Sequence, residues 1–144
     1  MRKKGFTLIE VVVSVTLLLI IIVGGYQGFA ALYRSIAYSH ARATAVDLSN
    51  EYFETIKNLP YGSVGTVGGT PVGIIPVSQT MVRDNITLTI TTVIQNVNDL
   101  FDGAPDSFPN DYKLVELTIT CTSCTNFIPV VISSYIAPAN LESA

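Results

Sequence analysis

Residues 5–23 read GFTLIEVVVSVTLLLIIIV, and this stretch decides how the chain is built. From Val11 onward, only Ser14 and Thr16 interrupt the apolar run. A helix needs about 20 consecutive apolar residues to cross the hydrocarbon core of a bilayer. Beyond Tyr26 the sequence becomes ordinarily polar, so the mean hydropathy of +0.46 reflects mostly this segment. The pattern predicts one membrane helix joined to one small extramembrane domain.

The basic residues Arg2, Lys3 and Lys4 precede the apolar run, and three interpretations of the N-terminus compete. A secretory signal peptide needs a small-residue cleavage site after the run, where only Gly24 and Gly25 stand. A signal anchor would keep its basic end in the cytoplasm and place the remainder of the chain outside. The third interpretation is cleavage between the basic leader and the apolar run.

Glu10 favours this third interpretation, because it lies inside the apolar run. A carboxylate in a membrane helix is costly unless it finds a partner. Cleavage after Gly5 would create a new α-amino group on Phe6. Phe6 and Glu10 are residues i and i+4 of a helix, so they lie on one helix face. The carboxylate could then neutralise the amine of its own chain or of a neighbouring subunit.

The segment KGFTLIE followed by an apolar stretch resembles the prepilin cleavage and methylation motif of type IV pilins and type II secretion pseudopilins. The resemblance implies cleavage after Gly5 by a membrane prepilin peptidase, N-methylation of Phe6, and a filament-assembly role for Glu10. It also implies partners: other pilin subunits, an inner-membrane platform protein and its cytoplasmic ATPase. The expected location is the inner (cytoplasmic) membrane with the N-terminus inside, followed by an extracytoplasmic filament, either on the cell surface or in the periplasm.

We divide the chain into a leader (residues 1–5), a transmembrane or filament-core helix (6–27), an amphipathic second half of that helix (28–59) and a C-terminal β domain (60–144). No proline precedes Pro60, so residues 6–58 can form one continuous helix. The spacing of apolar residues predicts a helix face that covers a sheet. Its members are Phe29, Leu32, Ile36, Ala43, Val46, Phe53 and Ile56.

Four strands are predicted at residues 74–82, 86–97, 113–121 and 127–136, with a turn at 83–85. Pro76 favours a later start for the first strand, and Pro129 interrupts the fourth early. The alternation of residue types slips at 91–93, which predicts either a bulge or an end to one-sided burial there. A long helix on an antiparallel sheet of about four strands is an α+β fold. The pilin resemblance implies the same fold.

The loop between the second and third strands carries Asp102, Asp106 and Asp111. Carboxylate oxygens suit calcium, but Asp, Asn, Gly and Pro are also the ordinary residues of turns. Some pseudopilins bind calcium in the sheet region, so the resemblance implies these three aspartates as candidate ligands. A solvated loop without metal remains the alternative.

Cys121 and Cys124 form a CxxC pair that follows a strand-like run. A zinc site normally needs four ligands, and His40 is the single histidine. A redox pair of the thioredoxin type stands at a helix N-terminus rather than after a strand. A local disulfide and two unpaired thiols both stay open, and an extracytoplasmic location would favour the disulfide.

The expected function is structural: a filament subunit, with a minor pilin or pseudopilin favoured over a major pilin by the stretches LPYGSVGT and NDYKLVELTIT. The alternative is a monomeric, single-pass membrane-anchored binding module, which would keep Met1 and need no Glu10. Enzyme chemistry is not expected, because the sequence offers no catalytic triad, metal cluster or phosphate loop. Removing the leader changes the formal charge from −3 to −6, which argues against nucleic-acid binding. A local basic patch could override that argument, with Arg34, Arg42, Arg83 and Lys113 as its candidates.

Overall fold

The computed structural model describes Gly5, residues 7–98 and residues 112–138. These residues form one helix, α1 (Leu8–Lys57), a short 3-10 turn (Tyr61–Ser63) and four strands. The strands are β1 (Ser78–Arg83), β2 (Ile86–Val97), β3 (Tyr112–Cys121) and β4 (Val130–Ile136). They pair antiparallel in the order β1-β2-β3-β4, so the predicted α+β architecture is confirmed. The chain divides into two compact units at Ser39 and His40, a boundary that lies inside α1.

The end of α1 follows the prediction closely. The helix ends at Lys57, three residues before Pro60. Proline disfavours helical geometry in the residue before it, and its ring clashes with the preceding turn. The 3-10 turn that follows begins the connection between α1 and the sheet.

The helix face that covers the sheet differs from the predicted one. Phe53 and Ile56 are buried as expected, and Val46 is partly buried against the core. The other four predicted members, Phe29, Leu32, Ile36 and Ala43, are exposed. Small side chains occupy much of the buried face instead, because a helix can approach a sheet closely where its contact residues are small. The buried residues of α1 are Ala41, Thr44, Ala45, Leu48, Ser49, Phe53 and Ile56.

The hairpin between β1 and β2 turns through Asp84 and Asn85, as the sequence predicts. Both residues adopt a positive φ, 50° and 62° respectively. Tight two-residue hairpin turns require this conformation, and Asp and Asn tolerate it better than other non-glycine residues. The turn fixes the register in which Arg83 faces Ile86.

The predicted bulge at 91–93 is absent. Thr91, Thr92 and Val93 pair one to one with successive residues of β3, and burial alternates without a slip. Thr92 takes the core-facing position, and Val93 is 43% exposed. The prediction of a bulge assumed that the apolar residue faces the core. In the structure Thr92 faces the core and Val93 faces outward.

Two strands begin only after a proline, as Pro76 and Pro129 lead us to expect. β1 begins at Ser78 rather than at 74, and β4 begins at Val130 rather than at 127. Pro76 and Pro129 have no N–H to donate to a ladder. Ile75 instead exchanges main-chain hydrogen bonds within the connection, with Gly65 (3.0 Å) and Val67 (2.9 Å).

The core of the second unit lies between the buried face of α1 and one face of the sheet. Strands β2 and β3 supply its centre, where several aliphatic side chains are fully buried. The connection adds Val64 and Ile75, both buried. Within the connection, the backbone at Gly73 lies so close to the backbone at Gly65 that a Cβ on Gly73 would be 2.5 Å from Gly65 Cα. Glycine is therefore required where these backbones meet.

Candidate functional site: the N-terminal segment and its first helical turn

Glu10 lies in the first turn of α1, which begins at Leu8. The Glu10 and Val11 N–H groups both donate to the main-chain oxygen of Thr7, at 3.1 and 3.3 Å. The first turn of a helix carries a partial positive charge, which favours a carboxylate at this position. Glu10 is exposed, so its carboxylate is open to a partner outside the monomer.

Gly5 is also exposed, and a Cβ placed on it would meet nothing within 4 Å. Phe6, the predicted new N-terminus, lies outside the described residues. The cleavage, the methylation and the Phe6–Glu10 pairing therefore remain predictions. The structure adds that α1 begins at Leu8, two residues beyond the predicted cleavage point.

The helix that follows Glu10 is apolar on every side. Large aliphatic residues from Leu8 to Val23 are each at least half exposed, and no residue in the most apolar window of α1 is buried. One helix of the described residues is long and apolar enough to cross a membrane, judged by length and composition alone. A helix that is apolar all round needs lipid or other helices to cover it.

Two hydroxyl groups inside this apolar stretch are satisfied by the helix itself. Ser14 Oγ donates to the main-chain oxygen of Glu10 at 2.7 Å, and Thr16 Oγ1 donates to that of Val12 at 2.8 Å. Such i to i−4 bonds let serine and threonine lie in a nonpolar environment without an external partner. Glu10 is the one Asp, Glu, Lys, Arg or His within residues 7–33.

The acidic loop lies outside the described residues, so Asp102, Asp106 and Asp111 remain candidate calcium ligands by prediction alone. Within the part of the chain that the structure describes, no group of three His, Cys, Asp or Glu side chains is placed to hold a metal ion. His40 is exposed on α1. The described residues therefore offer no second candidate metal site beside the acidic loop.

Cys121 and Cys124 are joined as a disulfide in the structure, with Cα atoms 5.4 Å apart. The loop they close lies beside the start of β2. Thr87 donates its N–H to Ser123 Oγ at 2.9 Å, and its main-chain oxygen accepts from the Thr122 N–H at 3.0 Å. Residues Thr122 and Ser123 of this loop thus continue the pairing with β2 beyond Cys121, where β3 ends.

Two of the four residues suggested for a basic patch are engaged elsewhere. Arg83 forms an ion pair with Glu51 of α1 at 2.6 Å, which lowers the pKa of Glu51 and raises that of Arg83. Lys113 is only 6% exposed, so it offers no charge at the surface. Arg34 and Arg42 remain exposed on α1. Arg34 and Arg42 therefore remain the candidates for such a patch.

Lys113 is buried, whereas the sequence suggested a surface cation. Its ammonium donates to the main-chain oxygens of Tyr61 (2.8 Å) and Val64 (2.6 Å) and lies 4.4 Å from the centre of the Tyr61 ring. Burial lowers its pKa. The signal was available, because two-residue periodicity places Lys113 on the same strand face as Val115 and Leu117.

Comparison with protein-family models gives one match, to the prokaryotic N-terminal methylation motif, over residues 1–26. That match covers 26 of the 144 residues and includes Gly5, Phe6 and Glu10. Searches of curated proteins and of solved structures returned no match. The family model thus agrees with the geometry of the N-terminal segment, in which an acidic first turn precedes a fully exposed apolar helix. By its first 26 residues, this α+β chain carries the prepilin motif of the type IV pilin and pseudopilin kind.

Proposed function

We propose that the protein is a filament-forming structural subunit, made as a membrane-stored prepilin and assembled with other pilin subunits. The observation that carries the proposal is the methylation motif followed directly by an apolar helix with no buried residue in its first part. Such a helix has two stable environments, a bilayer and a bundle of like helices. A subunit that passes from the first to the second is a pilin-like subunit.

Processing prepares the helix for this transfer. Cleavage after Gly5 removes the three basic residues that would otherwise hold the N-terminus at the cytoplasmic surface. It also creates an α-amino group on Phe6, at the helix end where a positive charge is disfavoured. The Glu10 carboxylate, one turn further along, neutralises that amine. Within a bundle, the partner amine belongs to the neighbouring subunit, and the pairing then fixes the stagger between them.

Little else in the helix opposes movement between lipid and bundle. Ser14 and Thr16 satisfy their hydroxyl groups within the helix, so neither needs a partner in lipid. Their small side chains also allow the close backbone approach typical of helix interfaces in membranes. The charge pair at Phe6 and Glu10 is therefore the polar feature that selects a neighbour.

Within this class, we favour a minor pilin or pseudopilin over a major pilin, acting in a pilus or a type II secretion-type machine. The partners would be the prepilin peptidase, the membrane platform and its ATPase. The mature formal charge of −6 gives no support to nucleic-acid binding, and the burial of Lys113 removes one candidate contact. The pilin-like fold and motif are structural rather than catalytic.

The mass of the N-terminal peptide tests the proposal, measured in native membranes and in sheared surface filaments. A methylated peptide that begins at Phe6 in the membrane fraction, and is scarce in the sheared fraction, is expected for a minor pilin or pseudopilin. Abundance of that peptide in the sheared fraction would identify a major subunit. An intact Met1 in both fractions, with the peptidase present, would contradict the proposal and leave a monomeric anchored module.

The variant Gly5→Leu is the matched control, because it alters the cleavage point and leaves the helix from Leu8 onward unchanged. We expect it to remain in the membrane and to keep Met1. If the variant still yielded a chain beginning at Phe6, Gly5 would have no part in processing.

A further inference from the structure

The part of α1 between the expected membrane span and the second unit exposes large apolar side chains. A span of about 20 residues that begins at Leu8 ends near Gln27. Residues 28–39 then complete the first unit. We call residues 26–36 the juxtamembrane segment. Its large exposed side chains include Tyr26 (75%), Phe29 (64%), Tyr33 (66%) and Ile36 (66%). Exposed apolar surface that is contiguous in this way marks a contact with a membrane or with another protein.

These four side chains lie on one face of the helix. Successive members are three or four residues apart, the spacing that places side chains above one another. The rings of Phe29 and Tyr33 are in contact, with centroids 5.4 Å apart and a tilt of 50°. Tyrosine is enriched where helices leave the hydrocarbon core, because its ring is apolar and its hydroxyl is polar. The face therefore has the composition of a boundary between lipid and water.

The charges in this part of the chain are all positive. Between Glu10 and Asp47 there is no acidic residue, and Arg34 and Arg42 are the two residues of Lys or Arg type. Arg34 belongs to the juxtamembrane segment, is exposed, and forms no ion pair with another described residue. An isolated cation beside a membrane span is attracted to a surface that carries anionic lipids.

Arg34 stands close enough to the end of the span to reach lipid phosphates. It follows Gln27 by seven residues, or about 10 Å of helix. The polar layer on each side of a bilayer is about 5–8 Å thick. Helical side chains lean toward the N-terminus of their helix, which here is the membrane side. A long arginine stem can also lie along apolar surface while its charged head reaches polar groups. The guanidinium is therefore within reach of the phosphates when the span is in a bilayer.

We propose that the juxtamembrane segment lies in the headgroup layer where α1 leaves the membrane, and that Arg34 binds the phosphate of an anionic phospholipid there. The inference rests on the proposed function, in which the subunit is stored in a membrane. A guanidinium can donate two parallel N–H groups to one phosphate, and the apolar face can lie against the upper acyl chains. A bilayer is favoured over a protein partner because the segment continues the span directly and its one charged side chain complements an anionic surface.

A single introduced tryptophan tests the depth of the segment, because the chain has no tryptophan of its own. Full-length Tyr33→Trp is reconstituted in vesicles of equal amounts of phosphatidylcholine and phosphatidylglycerol, and quenching by lipids brominated at different depths is measured. We expect the strongest quenching from bromines nearest the headgroups. Ser39→Trp is the control, since it lies about 9 Å further along the helix and should be quenched little. Equal exposure of both tryptophans to water would overturn the proposal and leave a protein as the partner of the apolar face.

The lipid preference is tested by brominating one lipid class at a time in the same Tyr33→Trp protein. We expect quenching to show about fivefold enrichment of phosphatidylglycerol over phosphatidylcholine beside the segment, the effect of one basic residue at an anionic surface. Adding Arg34→Ser should abolish this preference, and Arg34→Lys should keep most of it because the charge is kept. Arg42→Ser is the matched control, since it removes the next cation of the chain and should leave the preference intact. Equal quenching by the two lipids with Arg34 present would overturn the contact.

Two measurements keep this contact separate from the proposed function. Alkaline carbonate should leave every variant in native membranes, because none of the substitutions changes the span. N-terminal peptide mass should show cleavage after Gly5 in all of them. Wild-type protein that carbonate extracts, or that keeps Met1, would contradict the proposed function itself. Protein that is processed and spans the bilayer, but shows no preference for phosphatidylglycerol, would contradict only the Arg34 contact.

Discussion

Lys113 Nζ lies 2.6 Å from the main-chain oxygen of Val64 and so ties the start of β3 to the connection that follows α1. A second bond to the Tyr61 oxygen and the Tyr61 ring complete the surroundings of the ammonium. No carboxylate is paired with it among the described residues. The two main-chain oxygens and the face of the Tyr61 ring therefore stabilise the ammonium charge in place of a carboxylate.

Lys113→Met should lower the free energy of unfolding by about 1–3 kcal/mol at pH 7, because the buried Val64 carbonyl loses the ammonium donor and the Tyr61 carbonyl keeps only the Val64 N–H. The exposed Lys57→Met is the matched control and should have little effect. Denaturant unfolding of both variants against wild type measures the difference. Equal stability of the Lys113 variant would show that the ammonium contributes nothing net.

The same pair of proteins should show a pH dependence. Burial lowers the Lys113 pKa below 10.5, so in the window just below that value the unfolded chain binds more protons than the folded one. Stability of the wild type then rises with pH relative to Lys113→Met, and the gap between them widens towards pH 10.5. The raised pKa of Tyr52 acts in both proteins and cancels from the difference. A gap that narrows over this window would contradict the direction of the shift.

Gly73→Ala should destabilise the second unit by about 1–3 kcal/mol, the usual range for forcing a methyl group into a filled space. The new Cβ would lie against the backbone of Gly65, which cannot rotate away as a side chain could. Gly62→Ala is the control, because a Cβ there meets nothing within 4 Å. Thermal unfolding should separate the two alanine variants clearly, and identical melting would contradict the close backbone approach.

Thr92→Val should raise the free energy of unfolding by about 1 kcal/mol, because it removes a buried hydroxyl that has no hydrogen-bond partner among the described residues. Thr118→Val, on the opposite face of the sheet, controls for the preference of valine for strands. A destabilised Thr92→Val would indicate that the hydroxyl is satisfied.

Glu10→Ala should leave membrane insertion and cleavage largely intact but reduce incorporation into filaments. The loss follows because the Phe6 amine of a neighbouring subunit would no longer find a carboxylate. Glu54→Ala, an exposed acid far along the same helix, is the control. Fractionation with N-terminal peptide mass measures both steps, and normal incorporation of the Glu10 variant would remove the proposed pairing.

Replacing Cys121 and Cys124 by serine should lower stability by about 2 kcal/mol, a modest loss because the disulfide closes a ring of only four residues. Protein taken from its native location should resist thiol alkylation until it is reduced. Two alkylated thiols without reduction would show that the cysteines are free there, and the stability of the double serine variant would then match that of the wild type.

The sequence alone predicts β2 well, because the Asp84–Asn85 turn marks its start and aliphatic residues alternate along it. It also predicts where α1 ends, because Pro60 interrupts helical geometry. The prepilin motif is predicted for a similar reason. These features depend on local chemistry, and local chemistry can be read directly from neighbouring residues.

The errors share a different cause, which is packing between distant segments. Ala41, Ala45 and Ser49 are buried because they let α1 approach the sheet, and their size rather than their hydrophobicity decides this. Lys113 is buried because carbonyl oxygens from the connection, about 50 residues earlier in the chain, surround its ammonium. For Lys113, the two-residue alternation of β3 did indicate the buried face, but the charge of the side chain outweighed it.

The exposed apolar half of α1 has a consequence for how substitutions accumulate. From Leu8 to Val23, no side chain is buried against the described parts of the chain, so one aliphatic residue can replace another there with little penalty to the fold. The second unit has no such freedom, because its buried side chains are closely packed and a change of side-chain volume lowers its stability. In a library of random variants that still fold, residues 8–23 should accept many exchanges of one aliphatic residue for another. The buried positions of the second unit should keep their original residues.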